Sequence, residues 1–310
     1  YTSGVRASYV SPEVTANELP DWLRFLRPLS GDSETWSFLE NVLAIEETAG
    51  DRIRYQWGIS ATQLMYTPED RLAPTAPSGE RPYAGWLGVG LSIHAKTENV
   101  LNSVEITFGV VGPNSKAKES QDFVHDLRGI PRFEGWDSQI PEEPTFNLHI
   151  TRRYREPFFQ DMEIFPESSV DGFLEIGADL GNYRTAAYLG GILRFGYNLP
   201  VDFSDPRLSL TANTQTIRSN TRDDSGPISL YGILGGRGSL VAHDITLDGP
   251  VFRDFDTGTS SRIGVAEGYV GFGIRLACVD LSYVYTYRTL EFEDQLDAQS
   301  FGSVVIKIDI

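Results

Sequence analysis

The stretch ESQDFVHDLRG, residues 119–129, holds the side chains whose types and spacing best suit chemistry. Gln121 and His125 are four residues apart, so a helix would place both on one face. A histidine can act as a general base, and a neighbouring amide can orient it or a water, or donate to a developing oxyanion. Gly129 can end such a helix in the left-handed conformation. The pair predicts a general-base site, and the alternative is a histidine that only forms structural hydrogen bonds.

Cationic residues accompany this pair and could hold phosphate groups of a substrate. Four of them lie in the same loop: Lys116, Lys118, Arg128 and Arg132. Two more, Arg71 and Arg81, lie in or beside the Pro-rich stretch 67–82, which is interpreted as an ordered loop. The structural alternative for Arg81 is an ion pair with Glu80 or Asp70.

The elements that must position these residues are β-strands. Residues 183–198, 281–288 and 302–310 alternate between apolar and polar side chains. Strands of about ten residues with an apolar outer face, a polar inner face and terminal aromatics are typical of an outer-membrane β-barrel. The pattern predicts outward side chains at Ile306, Ile308, Tyr283, Tyr285 and Leu193, and inward ones at Arg194 and Lys307. The alternative is a soluble sandwich or lipocalin-like barrel.

Eleven strands are predicted in the chain. They cover residues 2–10, 51–66, 82–96, 99–111, 145–155, 172–181, 183–198, 228–242, 264–276, 279–291 and 300–310. Single-chain bacterial barrels have an even number of strands, and the first segment begins in mid-pattern. We therefore expect an all-β fold, a closed antiparallel barrel of about 12 strands in the intact protein with its first strand missing here.

The whole chain, 1–310, is predicted to be one barrel domain with short helices in its loops. If strand 2–10 runs from the outside towards the periplasm, the loops at 67–81, 112–144, 243–263 and 292–299 lie at the outer end. The loop 112–144 would carry the active-site helix. Residues 11–50 contain helix-like pieces and are predicted to form a periplasmic insertion.

Composition narrows the function classes. The formal net charge of -17 argues against a nucleic-acid partner, which needs basic patches. No run of about 20 apolar residues occurs, which excludes a transmembrane helix. The single cysteine, Cys278, excludes an internal disulfide framework and a cysteine-rich metal site.

Strand parity extends the candidate site to the first strand. If Val5 and Ala7 face lipid, Thr2 faces the lumen. The expected arrangement is a lumen-side pocket at the outer end, which Thr2 shares with Gln121, His125 and either Arg71 or Arg81. The alternative for Thr2 is an ordinary lumen-facing strand residue.

An ordered set of motifs in the first half of the chain resembles the outer-membrane lipid A 3'-O-deacylases. These motifs are YTSG at 1–4, QLMYTPED at 63–70, ERPYAGW at 80–86, GVVGP at 109–113, QDFVH at 121–125 and GWDSQ at 135–139. The rings of Trp86 and Trp136 are interpreted as girdle or loop-packing residues.

The resemblance implies a calcium-dependent esterase that removes the 3'-acyloxyacyl chain of lipid A in the outer leaflet. The family's essential histidine falls on His125, its helical glutamine on Gln121 and its inward threonine on Thr2. The family's Asn-Asp pair belongs to a strand that this sequence lacks, so the calcium ligands are expected there. A loop lysine of the family is also absent, and Arg71 is the nearest cation. The expected partners are lipopolysaccharide and outer-membrane lipids, with the protein a monomer.

Two other functions stay open. The first is a non-enzymatic porin or scaffold that keeps the family shape, and the second is a membrane esterase acting on phospholipid. No GxSxG nucleophile elbow occurs, so a serine hydrolase is not indicated.

Overall fold

The computed structural model describes residues 2–15, 18, 20, 53–155, 168–207 and 228–309. Its strands are β1 Thr2–Val10, β2 Arg54–Tyr66, β3 Ala84–Lys96, β4 Val100–Val111, β5 Glu143–Arg155, β6 Ser168–Gly181, β7 Arg184–Tyr197, β8 Ile228–Asp244, β9 Gly264–Leu276, β10 Val279–Arg288 and β11 Gln299–Ile308. Its helices are α1 Ala117–Arg128, the short α2 Ile245–Asp248, and 3-10 turns at Pro113–Ser115 and Gly135–Ser138.

The eleven strands form one antiparallel sheet in which every strand pairs with its neighbours in sequence. All eleven predicted strands are confirmed, and their ends differ by at most a few residues. The agreement follows from the period-2 pattern, which is clear in strands such as β10 and β11. None of the helices in the described ranges is long and apolar enough to cross a membrane.

Alternation decides which side chains face outward. Ile306 and Ile308 are 63% and 64% exposed on β11, whereas Arg194 on β7 is only 2% exposed. Tyr285 is exposed as well, and Tyr283 and Leu193 are half-buried on the same outward parity. The predicted outward and inward faces are therefore confirmed. The outward face carries a continuous apolar band, as a barrel in lipid requires.

Ion pairs join strands on the lumen side of the sheet. Arg6 of β1 donates to Glu105 of β4 at 2.7 Å, and Arg237 of β8 bonds Glu175 of β6. The segment after β7, residues 199–207, folds into the interior and adds further charged groups. Asp202 accepts from Arg194 and Asp205 accepts from Arg153. Arg207 donates to Glu267, and the Ser204 hydroxyl accepts from Lys307. Buried charges of this kind need partners, and the charged residues named here have them.

The sheet curls until its two edge strands line one cavity. β1 and β11 both border an interior space of about 1300 Å³ that also reaches Arg237 and Glu267. Within the described ranges, β1 pairs only with β2 and β11 only with β10. The expectation of a twelfth strand stays a prediction. The predicted insertion at 11–50 lies almost entirely outside the described residues.

Candidate active site

Helix α1 lies against the outward face of the sheet, at the end where β2 stops and β3 begins. The 3-10 turn Pro113–Ser115 leads into it through Lys116, whose left-handed backbone (φ 57°) turns the chain back towards the wall. Gly129 ends the helix with φ 65°, as the sequence predicted.

Close packing of α1 on the wall depends on Gly85 of β3. A Cβ at this position would lie 2.2 Å from Ser115 Oγ and 2.4 Å from Ala117 Cβ. Gln63 of β2 strengthens the contact, because its Nε2 donates to the Ser115 carbonyl at 2.7 Å. The sheet therefore holds the beginning of α1 at a fixed distance.

His125 is oriented by the backbone of the loop that follows α1. Its Nδ1 is 2.7 Å from the Pro131 carbonyl oxygen. A carbonyl oxygen only accepts hydrogen bonds, so Nδ1 carries the proton and Nε2 of the neutral ring is left as the basic nitrogen. The Phe133 ring lies 5.5 Å from the imidazole, centroid to centroid, and supports it from one side.

Gln121 lies one helical turn before His125 and is almost fully buried, at 3% exposure. Its Oε1 accepts from Trp136 Nε1 at 2.8 Å. Its Nε2 is buried and has no hydrogen-bond partner among the described residues. Trp136 belongs to the second 3-10 turn and is completely buried.

A cleft of about 590 Å³ separates α1 from the barrel wall. We call it the α1 cleft; α1 contributes Glu119, Ser120, Gln121, Phe123, Val124, His125 and Arg128, and the wall contributes Ser3, Gly4, Val5, Gln63 and Met65. Carbon atoms dominate this lining. The cleft continues onto the apolar outer surface, where Val5 is 61% exposed.

The expected lumen-side pocket is wrong, because α1 and the lumen lie on opposite faces of the sheet. Ser3 and Val5 share the outward parity of β1, and they line the cleft together with His125. Arg81 faces the interior, where it donates to Glu291 and Thr246, each at 2.7 Å. A loop can fold over either face of a sheet, and the parity of β1 alone does not choose between them.

Thr2 and Arg71 are placed differently from His125 and Gln121. The backbone of Thr2 pairs with Tyr66 at the start of β1, next to Ser3, and only its backbone is described. Arg71 is exposed and does not line the α1 cleft. Its carbonyl accepts from the Glu134 amide at 2.9 Å, which joins the two outer loops.

The loop cations separate into paired and unpaired ones. Lys116 bonds Glu119 at 3.1 Å and Lys118 bonds Asp137 at 2.9 Å. Arg132 donates to Asp126, and this hydrogen bond lowers the pKa of the carboxyl below its ordinary value. Arg128 lines the cleft without a hydrogen-bonded partner in the described part of the chain.

The residues around the cleft do not make a calcium site by themselves. Calcium takes six to eight oxygen ligands, several of them carboxylates. Glu119 is the acidic side chain of the cleft lining, and Lys116 already bonds it. No group of three potential metal-ligating side chains occurs within the described ranges.

Sequence reasoning missed the supporting roles of three residues at the site. Pro131 fixes the histidine, Phe133 packs on its ring, and Trp136 bonds Gln121. The motif GWDSQ was a signal for Trp136, but an indole in a loop gives no indication of its partner. The interpretation of Trp136 as a packing residue is incomplete for this reason.

Comparisons with known proteins agree with this architecture. A family model described as "Outer membrane protein LpxR" matches residues 1–310. A solved structure, "LpxR from Salmonella typhimurium", superposes with a TM-score of 0.71 at 18% sequence identity. The match covers 99% of this chain and 100% of that chain. A search of curated proteins found no match. The chain belongs to the LpxR family of outer membrane proteins.

Proposed function

We propose that this protein is an outer-membrane lipid A 3'-O-deacylase with its active site at the extracellular end. The observation that carries the proposal is His125, whose Nδ1 is fixed by the Pro131 carbonyl on the wall of a cleft that opens on the apolar outer face. An ester buried among acyl chains in the outer leaflet would reach this face directly.

The reaction is a hydrolysis in which His125 is the general base. Its Nε2 takes a proton from a water molecule, and the water oxygen bonds to the ester carbonyl carbon. The tetrahedral intermediate collapses with cleavage of the bond to the sugar oxygen, which receives the proton from the imidazolium. The products are a 3'-hydroxyl group and a free carboxylic acid.

The lining of the cleft suits this substrate. Met65, Phe123 and Val124 provide apolar surface for an acyl chain. Phe123 and Leu127 are 69% and 77% exposed on α1, so the helix presents apolar side chains to the surrounding lipid. Arg128, at the last turn of α1, can hold a phosphate of the sugar headgroup.

The family resemblance adds a proposed requirement for calcium, although no step above is assigned to the ion. We predict that a chelator abolishes acyl release and that calcium restores it, whereas magnesium does not. Magnesium binds only six ligands and releases its bound waters reluctantly. Mass spectrometry of the released lipid measures this. Full activity in excess chelator would remove calcium from the proposal.

The porin alternative receives less support. Ion pairs such as Arg6–Glu105 and Arg237–Glu175 join non-adjacent strands on the lumen side of the sheet. A water-filled channel needs an open lumen, and these pairs occupy part of it, beside the interior space of about 1300 Å³. A phospholipid esterase would use the same base and cleft, so the experiment below includes that substrate.

The decisive experiment compares wild type with His125→Ala in detergent micelles that contain calcium and lipid A. Loss of a general base should lower 3'-acyl release by about 10²–10⁴-fold. His125→Gln should fail equally, because an amide cannot take up the proton. His243→Ala is the matched control, since His243 lies on β8 and does not line the α1 cleft.

Three results would count against the proposal. Equal deacylation by wild type and His125→Ala would remove the histidine from its role. Faster hydrolysis of glycerophospholipid than of lipid A would favour the phospholipid esterase. No hydrolysis of either lipid by the intact protein would favour the non-enzymatic barrel.

A further inference from the structure

Trp136 contacts the candidate site without lining its cleft. Its indole is completely buried and packs 5.5 Å from the Tyr83 ring, centroid to centroid. Its Nε1 donates to Gln121 Oε1 at 2.8 Å, which joins the loop after α1 to the middle of the helix. A buried indole N–H needs an acceptor, and here that acceptor is a residue of α1 that lines the cleft.

This hydrogen bond decides which end of the Gln121 amide faces the site. An indole nitrogen can only donate, so the amide must turn its oxygen towards Trp136 and its NH2 group away. Nε2 then carries two donor hydrogens and has no acceptor among the described residues. A buried donor without an acceptor is costly, and in a native protein a water, an ion or a reacting group completes it.

The amide is not needed to orient the histidine. His125 receives its orientation from the Pro131 carbonyl and does not need Gln121 for it. One lone pair of Oε1 accepts from the indole, which fixes the orientation of the amide. Gln121 Nε2 has no partner among the described residues. Gln121 lines the cleft one helical turn from His125.

One aromatic cluster supports both residues. Phe133 lies 6.3 Å from Tyr83 and 5.5 Å from His125, and Tyr83 contacts Trp136. Gly135 allows this packing, because a Cβ there would lie 2.4 Å from the Tyr83 ring. The cluster therefore fixes the amide and the imidazole relative to each other.

We infer that Trp136 is a positioning residue that holds Gln121 so that its NH2 group donates to the ester carbonyl oxygen as negative charge develops there. This rests on the proposed hydrolysis. A preorganised donor of this kind stabilises the transition state more than the bound ester, so its loss lowers kcat rather than raising KM.

Three substitutions separate this role from simple packing. Gln121→Met removes the amide and keeps its length. Gln121→Glu keeps an acceptor for the indole but offers the ester an oxygen in place of a donor. Trp136→Phe keeps an aromatic ring in the cluster and removes only the N–H group and part of the ring volume.

The expected kinetic pattern is specific. Gln121→Met and Gln121→Glu should each lower kcat by about 10²–10³-fold. Trp136→Phe should lower kcat by about tenfold with KM changed less than about twofold. Adding Trp136→Phe to Gln121→Met should cost nothing more, because the indole acts through the amide. Thermal unfolding of each variant confirms that it is folded.

A binding measurement tests the inference apart from turnover. A long-chain phosphonate monoester carries a charged oxygen where the tetrahedral intermediate would, and wild type should bind it more tightly than Trp136→Phe by about tenfold. If wild type releases no acyl chain but this difference holds, the proposed reaction is wrong and the positioning role stands.

The inference is overturned by any of three outcomes. Retention of kcat in Gln121→Glu would show that the residue acts as an acceptor. An unchanged kcat in folded Trp136→Phe would show that the indole does not position it. A full additional loss in the double variant would show that Trp136 acts independently of Gln121.

Discussion

At the scale of single residues, the site is defined by which polar atoms are already bonded. The Pro131 carbonyl occupies His125 Nδ1, and the indole occupies Gln121 Oε1. The groups left for a substrate are therefore the imidazole Nε2, the amide NH2 and the guanidinium of Arg128. Excluding the polar atoms that are already hydrogen-bonded defines the candidate site more specifically than the residue types alone.

The same reasoning predicts which loop cation matters for binding. Arg128→Ala should raise KM for lipid A by about tenfold, because a charged hydrogen bond to a phosphate is worth about 1.5 kcal/mol. Lys116→Ala is the control, because Lys116 is exposed and already pairs with Glu119. Initial rates over a series of lipid A concentrations measure both effects. An equal rise in KM for the two variants would mean that only the net charge of the loop matters.

At the scale of elements, the distance between α1 and the wall is set by a residue without a side chain. Ser115 and Ala117 fill the space that a Cβ of Gly85 would need. Because α1 carries His125 and β1 forms the opposite side of the cleft, a shift of the helix changes the shape of the candidate site without replacing a polar residue.

Gly85→Ala should lower kcat by about 10- to 100-fold while the barrel stays folded, since small displacements of catalytic groups are expensive. Gly238→Ala on β8 is the control, because a Cβ there meets nothing within 4 Å. The measurements are kcat and the thermal unfolding temperature of each variant. Unchanged activity in Gly85→Ala would show that α1 adjusts without cost.

The sequence predicted the strands well and the position of the helix poorly. Period-2 alternation is a local property, so the parity of Ile306 or Arg194 is readable from its neighbours. The face on which loop 112–144 lies depends on long-range packing, which the pattern of α1 does not encode. Gly85 carried a usable signal, because a glycine on the outward parity beside Leu87 and Val89 interrupts a band of large side chains.

At the scale of the whole molecule, buried charge links elements far apart in sequence. Arg81 bonds Glu291 at 2.7 Å and lies 4.4 Å from the centroid of the Tyr66 ring. Burial alone would raise the pKa of Glu291, but Arg81 and Arg288 hold it below its ordinary value. The cluster therefore joins the loop before β3 to the loop after β10.

Arg81→Gln should destabilise the folded protein by about 3 kcal/mol, as expected when one partner of a buried pair is removed. Arg71→Gln is the control, because Arg71 is exposed, and it should change stability very little. Denaturant unfolding in detergent measures both.

The effect of Arg81→Gln should also depend on pH. The folded-state pKa of Glu291 is depressed, so its stabilisation is present at neutral pH and is lost as pH falls through that pKa. The difference between wild type and Arg81→Gln should therefore shrink below about pH 4. A difference that stays constant to lower pH would mean that packing on Tyr66, rather than the ion pair, supplies the stability.

The location of the α1 cleft on the outward face has a consequence for kinetics. A substrate that reaches the cleft by lateral diffusion in the lipid layer has a concentration per unit area of that layer. The encounter with the protein is therefore two-dimensional. Its turnover should follow the mole fraction of lipid A in a vesicle or micelle and should be insensitive to the volume in which those particles are suspended. Adding inert detergent at constant total lipid A should slow the proposed hydrolysis, whereas diluting the whole suspension with buffer should leave its rate per protein molecule unchanged.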